Sequence, residues 1–136
     1  MQNTHPLKHT HITQRIIGCA FKVHNYFGKG FPELIYHRAL AIELGNDGVK
    51  YESEVERIVM YYNEPVGKRR IDLLVEDKIL VELKAVSEIE NDAVSQILNC
   101  LNIFNLEVGL LLNFGSSRLE VRRFVYNEKL DHGYKG

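Results

Sequence analysis

The sequence has no apolar run long enough to cross a bilayer, which excludes a membrane-spanning helix. Its opening, Met1 to His11, is polar and carries histidines, without the apolar middle of a secretory signal peptide, so a cytoplasmic location is expected. Cysteine is scarce. Cys19 and Cys100 both fall in predicted helices, and neither stands at zinc-binding spacing from another cysteine or a histidine. Two buried, reduced thiols are expected. Neither sign of charge is in excess: 17 Lys and Arg against 18 Asp and Glu leave a net charge of -1. That excludes a broad basic surface of the kind that grips duplexes non-specifically. There are no repeats, no low-complexity tracts and no sign of a second domain. At 136 residues, 45% of them hydrophobic, the composition is that of one globular domain with a real core.

What is present is concentrated in two stretches, Arg70-Ile71-Asp72-Leu73-Leu74-Val75 and Ile79-Leu80-Val81-Glu82-Leu83-Lys84. Aliphatic strands of this kind are buried on at least one face. A buried charge is costly unless it is paired, hydrogen-bonded or bound to a metal, so Asp72, Glu82 and Lys84 need a reason to be there. A hairpin with the loop Glu76-Asp77-Lys78 pairs Val75 with Ile79 and, counting back, sets Asp72 opposite Glu82. Directly opposed residues have Cβ atoms roughly 4.5–5.5 Å apart, close enough for two carboxylates to share a cation. Ile71, Leu73, Val75, Ile79, Val81 and Leu83 would then share one apolar face for helices to cover. A two-residue loop would put the carboxylates on opposite faces, so binary patterning favours the odd loop. Lys78 then falls where such loops prefer a left-handed glycine.

Around this centre the chain predicts a helix from Thr10 to Tyr26, with Thr13 as its N-cap and Gly28-Lys29-Gly30 as its stop. A second helix opens near Pro32 and runs to about Leu44, ended by Gly45-Asn46-Asp47-Gly48. Val49 to Tyr62 reads as a strand with one wet face, and Asn63-Glu64-Pro65-Val66-Gly67 as a turn. After the two charged strands come a helix from Glu90 to Asn105, a buried strand from Val108 to Asn113, and a last strand from Val121 to Tyr126. The order ααβββαββ, with a helical crossover into a fully apolar strand, predicts an α+β fold in which a mixed β-sheet is flanked by helices. The domain is expected over residues 13–126, between flexible tails 1–12 and 127–136.

Asp72 and Glu82, joined by the backbone carbonyl of Leu83, make an oxygen-rich ligand set suited to Mg²⁺ or Mn²⁺. Two unscreened carboxylates would raise each other's pKa, and a cation or Lys84 relieves that conflict. A lysine–carboxylate pair on an exposed sheet face is the plainer explanation of the same residues. Lys84 suits two roles that the sequence leaves open: acting on an attacking water, or stabilising charge that develops on a phosphate. Glu33 and Tyr36 share a face of the second helix; a dipole role for Glu33 and core packing for Tyr36 compete with a place in the site. Gln96 on the third helix is either solvated or a site residue. His24 fits a helix C-terminus better than a site, and Arg70 is an accessory candidate within Lys68-Arg69-Arg70. For that basic cluster, as for Arg118, Arg122 and Arg123, ordinary surface charge is the simpler reading.

Gly30-Phe31-Pro32-Glu33-Leu34-Ile35-Tyr36 reads G-x-x-E-x-x-Y, and it precedes Arg70-Ile71-Asp72, Val81-Glu82-Leu83-Lys84-Ala85 and Leu112-Asn113-Phe114-Gly115. In this order and spacing the motifs resemble the GxxExxY family of small bacterial and archaeal proteins, placed in the PD-(D/E)XK nuclease superfamily. The resemblance spans roughly Thr13 to Tyr126. It implies a restriction-endonuclease-like core and carries Asp72, Glu82 and Lys84 onto the superfamily's catalytic signature. It also makes Glu33 an additional acidic residue from a preceding helix and Gln96 the polar residue on the helix after the Glu-x-Lys strand. Two positions depart from the pattern: Lys29 stands where proline is common, and Ala93 where a histidine often lies one turn before the glutamine.

The expected function is therefore Mg²⁺- or Mn²⁺-dependent hydrolysis of phosphodiester bonds in DNA or RNA. The competing reading is a catalytically silent module of the same fold that binds nucleic acid or a protein partner. With no separate nucleic-acid-reading domain in so short a chain, a homodimer or a protein partner is compatible with the sequence.

Overall fold

The computed structural model describes residues 8–126. The expected tails 1–12 and 127–136 lie outside these residues except at 8–12, where Thr10 to Ile12 already form the first turn of a helix. The elements follow the expected order: α1 (Thr10–Phe27), α2 (Glu33–Asn46), β1 (Tyr51–Tyr61), β2 (Glu64–Val75), β3 (Ile79–Lys84), α3 (Asn91–Phe104), β4 (Val108–Asn113) and β5 (Glu120–Val125). The five strands lie in one sheet in sequence order, all neighbours antiparallel except β3 and β4. That one parallel pair requires a crossover, which α3 supplies. Among the described residues no helix is long and apolar enough to cross a membrane.

Helices cover both faces of the sheet. On one side Ile16, Ala20 and Val23 of α1 and Tyr36, Leu40 and Leu44 of α2 pack on Leu73, Val75, Val81, Leu83, Leu110 and Leu112. On the other, Ile97, Cys100, Leu101 and Phe104 of α3 pack on Ile71, Leu74, Leu80 and Leu111. β4 is buried along its whole length, as a strand covered twice must be. Gly109 lets α3 approach closely, since a Cβ there would lie 3.2 Å from Leu101 Cδ2. Both cysteines are buried and free, in α1 and α3.

Four local expectations are corrected. Thr13 is not the N-cap of α1; His9 is, with φ 55°, and the Thr13 hydroxyl instead donates back to the Thr10 carbonyl at 3.1 Å. The turn between β1 and β2 is shorter than residues 63–67. Tyr62 and Asn63 make it alone, with φ 46° and 70°, and Tyr61 pairs directly with Glu64. Pro65 and Gly67 therefore lie within β2, and a bulge at Val59/Met60 takes up the extra residue. The β2–β3 loop has the expected register, Val75 against Ile79, but its left-handed residues are Glu76 and Asp77, not Lys78. Finally, Ile71 packs on the α3 face and not with Leu73, because the alternation of β2 changes phase at Asp72.

Candidate active site

The change of phase at Asp72 builds the site. The β2–β3 ladder runs from Val75–Ile79 to Leu73–Val81, and the same count would next set Asp72 against Glu82. There Asp72 turns its carboxylate to the main chain of β3: its Oδ2 accepts the Leu83 N–H at 2.8 Å. On the other side the β1–β2 pairing passes from Ser53–Leu73 to Val55–Ile71, and the skipped residue, Glu54, has φ 56°. A left-handed glutamate within a strand costs on the order of 1–3 kcal/mol and persists only where the surroundings enforce it. Asp72 thus stands where both of its ladders open, and β2 and β3 part there.

Glu33, Asp72, Glu82 and Lys84 converge on this opening from α2, β2 and β3. Glu82 is pushed up to about 9, first by burial, then by the charge of Asp72 and by a hydrogen bond with the Asp72 carboxylate; Glu33 adds to the rise and Lys84 opposes it. Burial and the neighbouring charge of Asp72 thus favour the protonated form of Glu82. Burial and then the charge of Asp72 also raise Glu33, against Lys84 and His37. Asp72 thus lies close enough to Glu82 to act on its carboxyl. Glu82 also acts on the Cys100 thiol of α3, which burial pushes up to about 11, so the acidic pair opens toward the α3 face.

A cleft of about 210 Å³ lies there, lined by Glu82 and Lys84 of β3, Lys68, Arg69 and Arg70 of β2, and Gln96 and Cys100 of α3. A second groove of about 570 Å³ continues from Lys84 and Gln96 past Glu88 and Asp92. Gln96 and Ala93 border both, so the α3 edge of the site carries an amide and a methyl group, with no imidazole at 93. Among the described residues no set of three or more His, Cys, Asp and Glu side chains is arranged to hold a metal. What the opening offers is a carboxylate pair with main chain between its members. The donor chemistry fits a hard divalent cation, because a bound ion would offset the burial and the like charge of Asp72 that raise Glu82.

Of three accessory candidates, Tyr36 and His24 are engaged elsewhere, and Arg70 borders the cleft while also pairing with β1. Tyr36 is fully buried; its hydroxyl donates to the Gly28 carbonyl at 2.6 Å and accepts the Phe31 N–H at 3.2 Å, and its ring stacks on Phe114 at 4.7 Å. It ties the α1–α2 loop, and with it the start of α2 that carries Glu33, to the end of β4. The His24 ring lies 3.0 Å from the Ser116 carbonyl; a carbonyl only accepts, so Nε2 carries the proton. Arg70 pairs with Glu54 at 3.9 Å across the β1–β2 ribbon.

Sequence reasoning gave Asn113 and Gly115 no role beyond the motif that contains them. Asn113 is fully buried: its Oδ1 accepts the N–H groups of Val86 and Gly115 at 3.0 Å, and its Nδ2 donates to the Val86 carbonyl at 2.9 Å and to Glu120 at 3.3 Å. The chain just beyond Lys84 is thereby fixed to the β4–β5 turn. Gly115 is required by that contact, since a Cβ would fall 2.3 Å from the Val86 nitrogen.

The model of the PD-(D/E)XK nuclease superfamily matches residues 10–124, which include every residue of this site. The chain belongs to the PD-(D/E)XK nuclease superfamily. The fold is also similar to the crystal structure of a protein designated SSO0001, with a TM-score of 0.55 and 22% identity. That likeness covers 69% of this chain and 50% of the other, so the chain spans half the length of that protein. Nothing matches among the curated proteins. PD-(D/E)XK membership agrees with a mixed sheet whose third strand carries Glu82 and Lys84 side by side on the α3 face.

Proposed function

We propose that this PD-(D/E)XK protein is a nuclease that hydrolyses phosphodiester bonds in DNA or RNA with Mg²⁺ or Mn²⁺. The observation that carries the reading is the placing of Glu82 and Lys84 in one cleft, with the Asp72 carboxylate held against the Leu83 N–H beside them. A carboxyl raised by burial and then by a neighbouring carboxylate can exchange its proton for a cation. Asp72, Glu82 and the Leu83 carbonyl would hold the ion, which when bound supplies Lewis acidity at the phosphate and water of lowered pKa.

The remaining work falls to the chain's own groups. Glu82 releases its proton on loading, and Asp72, anchored by the Leu83 N–H, keeps its orientation. Lys84 shares the face of Glu82 and meets the phosphate or its attacking water from the cleft side. Glu33 enters from the start of α2 and aligns that water. Gln96 offers its amide to the substrate backbone from α3. The finer assignment to the GxxExxY group, a cytoplasmic site of action and a homodimer or protein partner belong to the same proposal.

One observation favours the second reading, a silent module: Ala93 stands where relatives of the resembled group often carry an imidazole. Incubation with labelled single- and double-stranded DNA and RNA in Mn²⁺ separates the two. Cleavage by the wild type and none by Asp72→Asn supports the nuclease. Tight binding without cleavage supports the module, and neither binding nor cleavage removes both.

A further inference from the structure

The β1–β2 ribbon sets two arginines directly opposite each other, Arg57 in β1 and Arg69 in β2. Like charges in that relation are destabilising. The ribbon has acids to neutralise its cations, and it uses them on the two residues that flank Arg69: Lys68 pairs with Glu56 at 3.5 Å, and Arg70 with Glu54 at 3.9 Å, while both also border the cleft. Among the described residues Arg57 and Arg69 have no such partner. They lie on the α3 face, with Val55 and Ile71. The Arg57 guanidinium sits 5.0 Å from the centre of the Phe104 ring, and its Nη1 donates to the Glu56 carbonyl at 3.2 Å, so the rest of its N–H fork is what a ligand can meet. Arg69 lines the cleft that holds Glu82, Lys84 and Gln96, and its charge reaches Cys100 on the cleft's α3 wall.

We propose that Arg57 and Arg69 form a phosphate-binding subsite that takes a backbone phosphate of the nucleic-acid strand, neighbouring the phosphate at Asp72, Glu82 and Lys84. Two guanidinium groups side by side present a fork of donors that matches one phosphate, and the bound anion removes their mutual repulsion. The placement makes the ribbon an arm along which the strand enters the cleft. The subsite rests on the nuclease reading for its substrate, yet it is testable without catalysis.

The test uses the full chain, with labelled DNA and RNA oligonucleotides titrated at several salt concentrations in EDTA, so that nothing is cleaved. Arg69→Gln should weaken binding to all sequences alike, roughly tenfold, and reduce the slope of log affinity against log salt by about 1. Arg69→Glu should weaken binding further while raising the melting temperature, because a repulsive cross-strand pair becomes an attractive one. A merely structural role predicts the reverse, a lower melting temperature with affinity unchanged. Arg69 is the decisive position because Arg57 also packs on Phe104. Unchanged affinity and salt slope in both folded Arg69 variants would overturn the subsite. So would a wild type that binds no oligonucleotide at low salt, or inorganic phosphate that competes as well as an oligonucleotide does. If the wild type binds but never cleaves in Mn²⁺, the nuclease reading falls, and weaker binding by Arg69→Gln still supports the subsite.

Discussion

Replacing Glu82 with glutamine should make the metal-free protein more stable, by an amount set by pH. Glutamine reproduces the neutral shape that Glu82 adopts in the fold and removes its titration. In the unfolded chain Glu82 ionises near 4.5, and in the folded protein near 9, so folding takes up a proton at every pH between. The stability tied to this group is therefore fully present below pH 4.5 and is lost as pH rises toward 9. Each pH unit in that window costs the wild type about 1.4 kcal/mol, which reaches about 3 kcal/mol at pH 7. Urea denaturation of wild type and Glu82→Gln in EDTA reads this directly. The two should nearly coincide at about pH 4.5 and diverge steadily above it, with the variant the more stable. Asp72→Asn should end the decline at a lower pH, because the charge of Asp72 is the largest cause of the raised pKa after burial and its loss narrows the window. Parallel pH profiles for wild type and Glu82→Gln would refute the reasoning, since they would mean that Glu82 ionises freely in the fold.

Four further outcomes are expected. Lys84→Ala should bind Mn²⁺ as the wild type does and lose cleavage by roughly 100-fold or more; an equal loss of metal affinity, measured by calorimetry, would place the lysine among the ligands instead. Tyr36→Phe keeps the stack on Phe114 but strands the Gly28 carbonyl and the Phe31 N–H, which should cost about 1–3 kcal/mol in urea denaturation. Gly115→Ala drives a Cβ to 2.3 Å from the Val86 nitrogen and should cost about 3 kcal/mol or more; a melting temperature equal to wild type would contradict that close approach. Asn113→Ala removes the partner of part-buried main-chain groups of Val86 and Gly115 and should lower both stability and cleavage, the latter because the segment after Lys84 loses its anchor.

The order of elements and the β2–β3 register were legible because they depend on local periodicity. A period of two over residues 71–83 and an odd loop give the right β2–β3 register without knowledge of any distant contact. What the pattern hid is non-local. The strand changes phase at Asp72 because Glu54, eighteen positions back, leaves the ladder with φ 56°, and nothing in either stretch announces it. For Tyr36 the sequence left core packing and an accessory place in the site open; its stacking partner, Phe114, lies seventy-eight positions on, beyond the reach of local pattern. Asn113 ends an apolar strand, where a polar residue usually meets solvent, yet it is fully buried because Val86 offers both main-chain groups to it. Lys68-Arg69-Arg70 read as one surface cluster, and all three border the cleft; what the sequence did not show is that Lys68 and Arg70 pair with Glu56 and Glu54 of β1 while Arg69 has no acidic partner among the described residues.

The most direct test of the central claim, that Asp72 and Glu82 jointly hold a divalent cation, is calorimetric titration of the wild type and Asp72→Asn with Mn²⁺ near neutral pH. The account predicts one ion per wild-type chain, about one proton released on binding as judged from buffers of different ionisation enthalpy, and no binding by Asp72→Asn. Binding that persists undiminished in Asp72→Asn, or a wild type that takes up no ion, would contradict it.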